Sequence, residues 1–185
     1  MTTALLIIDM QNHILHGLAD AARQPLLDRR LGEVAQRLAA LQLRARAAGA
    51  PVILVQHDGD GDHRLARGGE GWRIRADLGP APGDIVVHKR SCDSFYATDL
   101  ADCLQRLGVT RLVAGGCMTQ FCVDTTVRRA VSLGYDVVLA GDGHTTADSG
   151  TLGFAQIIAH HNALLDGFNA GPHSVSVRPA GEIEF

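Results

Sequence analysis

Ala4-Leu5-Leu6-Ile7-Ile8-Asp9 is an unbroken apolar run that ends on a carboxylate. A run this short, rich in Leu and Ile, reads as a strand buried on both faces, because a half-exposed strand would alternate. Four more runs of the same kind follow, at Pro51 to His57, Asp84 to Lys89, Arg111 to Gly116 and Asp136 to Asp142, with a weaker sixth strand at Ser174 to Arg178. Between them lie helical patterns. From Pro25 to Ala48, Leu27, Leu31, Val34, Leu38, Leu41 and Ala45 recur in steps of four and three and so share one helix face, and Gly49 stops the helix. Thr98 to Leu107 reads likewise, with Thr98 as N-cap and Gly108 at the stop; Cys122 to Leu133 ends at Gly134, and Phe154 to Leu165 at Gly167. Strands alternating with helices predict a mostly parallel sheet covered on both faces, an α/β fold in three layers.

Composition agrees. At 185 residues, 46% hydrophobic and 20% charged, the chain is the size of one domain with its own core, and neither repeat nor linker marks a boundary within 1–185. A net charge of -3, no basic run, two Tyr and one Trp exclude the footprint of a nucleic-acid binder. The run at residues 4–8 is too short for a membrane span or a signal peptide, so a cytoplasmic protein is expected, with Cys92, Cys103, Cys117 and Cys122 as free thiols. No Gly-x-Gly-x-x-Gly or Gly-Lys-Ser/Thr loop follows the first strand, which argues against a nucleotide-binding protein.

In open parallel sheets ligands bind beyond the carboxyl ends of the strands. Those ends carry Asp9, then Gln56 and His57, then His88 and Lys89, then Gly115 to Cys122, then Asp142 to His144. Asp9 would be buried by its run, and Lys89 by the run before it. Each needs a partner, and the economical arrangement pairs them. Alone, the two are explained as well by a plain buried ion pair as by catalysis. Cys122 alone is explained by packing. Its place in Gly115-Gly116-Cys117-Met118-Thr119-Gln120-Phe121-Cys122, a strand-to-helix turn, is what marks it as a nucleophile. There a helix N-terminus and a nearby Lys would favour thiolate, and backbone N–H groups could hold an oxyanion. Cys103 falls on a helix face and Cys117 at a strand end, and both read as core; Cys92 is assigned no role.

With these positions in place, the sequence resembles the isochorismatase-like cysteine hydrolases, which include nicotinamidases and N-carbamoylsarcosine amidohydrolase. The matching pieces are Ala4 to Asn12, Asp84 to Lys89 with Ser94-Phe95, Gly116 to Val123 with Thr125-Thr126, and Gly134 to Val137. The resemblance implies a six-stranded parallel sheet of order 3-2-1-4-5-6 and catalytic Asp9, Lys89 and Cys122. It also implies a cis peptide between Cys117 and Met118, and an oxyanion hole from the N–H groups of Met118 and Cys122. The activity it implies is cleavage of a C–N bond in a small amide, carbamoyl compound or lactam through a thioester on Cys122, in a homodimer or homotetramer, without a cofactor. Gly134 to His144 and Gln156 to Asn162 look similar to a subgroup that includes streptothricin hydrolase.

Where nicotinamidases carry a metal motif, this chain has Gln56-His57-Asp58-Gly59-Asp60-Gly61-Asp62-His63. An acidic surface loop is the expected reading, with no metal. True isochorismatases cleave a vinyl ether and lack the nucleophilic Cys, so Cys122 argues against that alternative; a catalytically silent binding protein of the same fold is the other. Gln11, His57, Trp72, Phe95 and Phe121 are the candidates for the substrate pocket, each with an ordinary packing explanation, and His160 and His161 read as structural. The long segment from His57 to Pro82 lacks periodicity, and a loop of that length is expected to serve the site.

Overall fold

The computed structural model describes residues 2–185. Its strands are β1 (Thr2–Ile8), β2 (Val52–His57), β3 (Ile85–Lys89), β4 (Val109–Cys117), β5 (Asp136–Thr145), β6 (Asn169–Ala170) and β7 (His173–Arg178). The helices are α1 (Gln24–Ala47), α2 (Leu100–Arg106), α3 (Asp124–Ser132) and α4 (Phe154–Leu165). The strands form one sheet in the order β3-β2-β1-β4-β5-β7-β6, parallel throughout except for the antiparallel β6–β7 pair. The six parallel strands therefore stand in the expected order. The seventh strand, β6, is new: its two residues are too few to show a period, and it extends the edge only by folding back on β7.

β1 lies at the centre and feeds both layers. Leu5 and Ile7 pack on one face with Leu27, Leu31, Val34, Leu38, Leu41 and Ala45 of α1, whose apolar stripe is the predicted one. Ala4, Leu6 and Ile8 pack on the other with Leu100, Cys103 and Leu104 of α2 and Val127, Ala130 and Val131 of α3. Each fully buried Leu or Ile contributes about 1.5–3 kcal/mol, so this double burial makes β1 the firmest place on which to mount Asp9.

Two boundaries differ from the expected ones in ways that bear on the site. Helix α2 starts at Leu100 with Asp99, not Thr98, as the residue before it; the Thr98 hydroxyl still accepts the Leu100 N–H at 3.3 Å while donating to the Ser94 carbonyl at 2.6 Å, which closes the turn ahead of the helix. β5 runs on to Thr145, but its pairing with β4 breaks: Ala114 faces Leu139 and Gly116 faces His144, so Ala140 to Gly143 bulge out. The bulge turns Asp142 away from the strand ends, where it meets Arg37 Nε at 3.0 Å and accepts the Ala180 N–H at 2.7 Å.

Candidate active site

The first residue after β1 sets the geometry. Asp9 is 1% exposed and has φ 50, in the left-handed region where Asp and Asn are the favoured side chains after Gly. Its N–H donates to the Val55 carbonyl at 2.9 Å, which turns the chain sharply at the sheet edge. Strain of this kind persists only where the surroundings over-determine it. The carboxylate meets Lys89 from the end of β3, with Nζ to Oδ2 at 2.8 Å and both side chains almost wholly buried. Lys89 Nζ also donates to the carbonyls of Ser91 at 2.8 Å and Cys92 at 3.4 Å, which hold the ammonium beside Asp9. Burial works against charge on Lys89, but the Asp9 carboxylate and the Cys122 sulfur outweigh it and raise its pKa.

Beyond β4, residues Thr119–Val123 form one π-helical turn before α3 begins at Asp124. The N–H groups of Phe121 and Val123 both donate to the Met118 carbonyl, at 3.1 and 3.2 Å, winding the turn so that Cys122 faces the ion pair. The Cys117–Met118 peptide that leads into it is cis. Asp9 and Lys89 both lie near enough to the Cys122 sulfur for their charges to act on it. Burial and the Asp9 charge push that thiol well above its ordinary pKa, with Lys89 opposing. Lys89 thus favours the thiolate, as the sequence suggested, while a carboxylate sits beside the sulfur, placed to receive its proton.

Asp9 and Cys122 close one end of a cavity of about 350 Å³. Ile14, Leu18, Leu65, Met118 and Phe121 give it an apolar wall, and His57, His63, Arg64 and Cys92 complete the lining. Of the five pocket candidates, His57 and Phe121 are in place and three are not. Gln11 is 0% exposed and acts as a clamp. It accepts the His57 N–H at 2.9 Å and donates to the carbonyls of His57 at 2.9 Å and Trp72 at 2.8 Å. Phe95 packs in the core with Leu100 and Val127. Trp72 lies on the far flank of β2, stacked on His88 with ring centroids 5.9 Å apart and donating to Asp58 Oδ1 at 2.7 Å. Bulk and polarity suggested a pocket for these three, but each spends its polar groups or its ring on the scaffold. Arg64, His63, Leu65, Ile14 and Leu18 were missed; they lie in aperiodic segments where no spacing signals a shared wall.

The acidic stretch after β2 is also divided. Burial would push the Asp58 carboxyl up, but hydrogen bonds from Trp72 and His88 and the nearby Arg67 hold it below its ordinary value. Asp58 thereby faces away from His57 and His63, and among the described residues no three His, Cys, Asp or Glu side chains converge as a metal site. No described helix is long and apolar enough to cross a membrane.

A buried polar chain supports the π-helical turn from behind. His144 Nδ1 lies 2.9 Å from Thr119 Oγ1, and its Nε2 lies 2.8 Å from Asn162 Oδ1. Asn162 Nδ2 donates to the Gly141 carbonyl at 2.8 Å, so its Oδ1 is the acceptor, His144 carries its proton on Nε2, and Thr119 donates to Nδ1. Burial holds the pKa of His144 down at about 4, against 6.5 for a free imidazole. Between those values the unfolded chain binds a proton that the folded chain refuses, so stability falls as pH drops from 6.5 towards 4. The loss from this one group is expected to reach about 3 kcal/mol. Urea unfolding of the wild type and of His144→Gln at pH 7, 5.5 and 4.5 checks it. The variant should be weaker at pH 7 but show the shallower decline; equal slopes would mean that His144 titrates normally.

Comparison with known proteins agrees with this geometry. The profile of the isochorismatase domain matches residues 3–162. A streptothricin hydrolase of Streptomyces noursei is 38% identical over 148 residues, covering 78% of this chain and 50% of the relative. The chain thus spans half the length of that enzyme. The isochorismatase family protein YddQ of Bacillus subtilis is 38% identical over 148 residues, 79% of each chain. Among solved structures, an isochorismatase from Pseudomonas putida superposes with a TM-score of 0.83 at 30% identity, over 98% of this chain and 89% of that one. An N-carbamoylsarcosine amidase from Thermoplasma acidophilum shares the fold, with a TM-score of 0.79 at 22% identity over 100% of both chains. Sheet order, sequence match and superposition agree, and the chain belongs to the isochorismatase family of hydrolases.

Proposed function

We propose that this hydrolase cleaves a C–N bond in a small amide, carbamoyl compound or lactam, with Cys122 as nucleophile, Asp9 as general base and acid, and Lys89 as the cation that orients Asp9. The observation that carries the reading is the meeting of a half-buried thiol, a carboxylate and an ammonium at one end of an open cavity. A plain structural ion pair would not need a thiol within reach of both partners.

The chemistry follows from the proton's position. Asp9 takes it as the sulfur attacks the carbonyl carbon, so thiolate exists only while the C–S bond forms. The oxyanion that develops is held by the N–H groups of Met118 and Cys122, at either end of the turn that shapes the cavity wall. Collapse expels the amine or ammonia with the proton returned by Asp9. A water then loses its proton to Asp9, attacks the thioester and releases the acid, restoring the thiol. Lys89 stays charged throughout, since its raised pKa keeps its proton. The relatives named streptothricin hydrolase and ureidoacrylate amidohydrolase support a C–N bond as the target.

The test is a screen for ammonia or amine release over primary amides, N-carbamoyl compounds and lactams, with Cys122→Ala alongside. Turnover of one class is expected, lost by about 10⁴-fold or more in the variant, with an acyl adduct on Cys122 visible by intact mass in the wild type. Turnover retained in Cys122→Ala would point instead to direct attack by water, as in ether hydrolysis. Binding without turnover or adduct would mark a silent protein.

A further inference from the structure

Arg64 enters the cavity from the segment between β2 and β3 and is half-buried there. Its Nε donates to the Ile14 carbonyl at 3.1 Å, and one Nη lies 4.0 Å from the Met118 sulfur, a weak contact. That leaves most of a five-donor guanidinium facing the cavity, and no carboxylate of the described residues pairs with it. Arg67, three residues on, has Asp58 at 3.7 Å, and the paired arginines of α1 likewise have carboxylates of their own.

The charges around the cavity make this pointed. Asp9 is neutralised by Lys89. His63 accepts the Leu65 N–H on its Nδ1, so that nitrogen carries no proton, and burial lowers the pKa of His57. One lining cation is therefore uncompensated, and it is of the type whose planar fork matches a carboxylate. Leaving it without a carboxylate in a half-buried, mostly apolar hollow is costly; within the site only the Cys122 sulfur, once deprotonated, offsets its charge, and a bound anion supplies a full partner.

We infer that Arg64 forms an anion subsite, and that the substrate carries a carboxylate which it salt-bridges while the scissile carbonyl sits at Cys122. The substrate class narrows to acids bearing an amide, ureido or lactam group. This rests on the hydrolase reading for its second half, but the subsite can be tested without turnover. The rates of Cys122 alkylation by iodoacetate and by iodoacetamide differ in the charge of the reagent, and peptide mass spectrometry separates the Cys122 adduct from that on Cys92.

With Arg64→Gln the iodoacetate rate is expected to fall by about 10- to 100-fold, in line with a charge-assisted hydrogen bond. The iodoacetamide rate should move by less than about 3-fold, which also reports that the variant is folded. Arg64→Lys should fall between, keeping the charge but losing the fork. Equal losses with both reagents would mean that the guanidinium acts on the sulfur rather than on the ligand, and would overturn the proposal. So would two unchanged rates. If the selectivity for iodoacetate holds while the amide screen is silent, the subsite stands and the reaction assigned above falls.

Discussion

Asp9→Asn is expected to lower turnover by about 10³-fold, within the range that positioned acid–base groups contribute, while raising the reactivity of the same thiol towards iodoacetamide. The two effects run in opposite directions because Asp9 acts on Cys122 twice. In the proposed reaction its carboxylate is the proton's destination, and Asn cannot receive a proton. Yet its charge, after burial, is what pushes the thiol's pKa up, with Lys89 opposing. Remove the charge, and Lys89 acts alone to favour thiolate. Asn is the appropriate replacement because residue 9 sits at φ 50, a conformation that Asn adopts at less cost than Ala. The variant leaves Lys89 buried without its counter-charge, which typically costs about 3–5 kcal/mol. The carbonyls of Ser91 and Cys92 remain as acceptors and should keep the loss at the low end. Steady-state kinetics, thiol alkylation and urea unfolding on one preparation measure all three. If turnover survived while stability fell, Asp9 and Lys89 would be a structural pair and nothing more.

The second large effect is expected of Gly116→Ala. Gly116 has φ 132, and a Cβ there would stand 2.0 Å from the Ile8 carbonyl oxygen and 2.7 Å from the Ile8 nitrogen. Both are backbone atoms of the central strand, so neither can swing aside. The substitution should cost more than about 4 kcal/mol, the range reserved for a named structural fault. Gly108→Ala is the control: it too has positive φ, at 63, but a Cβ would meet nothing within 4 Å, so only the backbone strain of about 1 kcal/mol is expected. Thermal unfolding of the pair separates collision from strain. Similar shifts in the two would show that β1 and β4 can part at that point, and that Asp9 is less firmly mounted than their pairing suggests.

The reason the fold was legible in the sequence and half of the cavity was not lies in how each is written. Leu27 to Ala45 advertise their shared face by spacing, and the runs ending in Asp9 and Lys89 are strands because nothing else of that length and composition buries so well. Asp9, Lys89 and Cys122 could be brought together because strand ends converge in a parallel sheet. Gln11 and Trp72 went astray because Gln11 bonds to the backbone of His57 and Trp72 while the Trp72 indole bonds to Asp58, contacts of an irregular segment that no periodicity describes. Arg64 stood in the same segment among several arginines, and only the absence of a carboxylate beside it distinguishes it from Arg67. The bulge that removes Asp142 and leaves His144 under the catalytic turn breaks the register between β4 and β5, and a count of residues along one strand cannot reveal it.

The Gln11 clamp divides the molecule's capacity for change. One end of the cavity is carried by the sheet, while the facing wall is fastened at its two ends, the His57 peptide and the Trp72 carbonyl, to the same amide, with further ties from Arg64 to the Ile14 carbonyl and from the His13 N–H to the Gly71 carbonyl. Of the side chains strung between those ties, exposed His63 and half-buried Arg64 are the ones whose exchange should leave Asp9, Lys89 and Cys122 in place, whereas Leu65 belongs to the core. A descendant of this enzyme, natural or built in the laboratory, could acquire a new diet by rewriting that span alone, and Gln11 is the residue it must not lose.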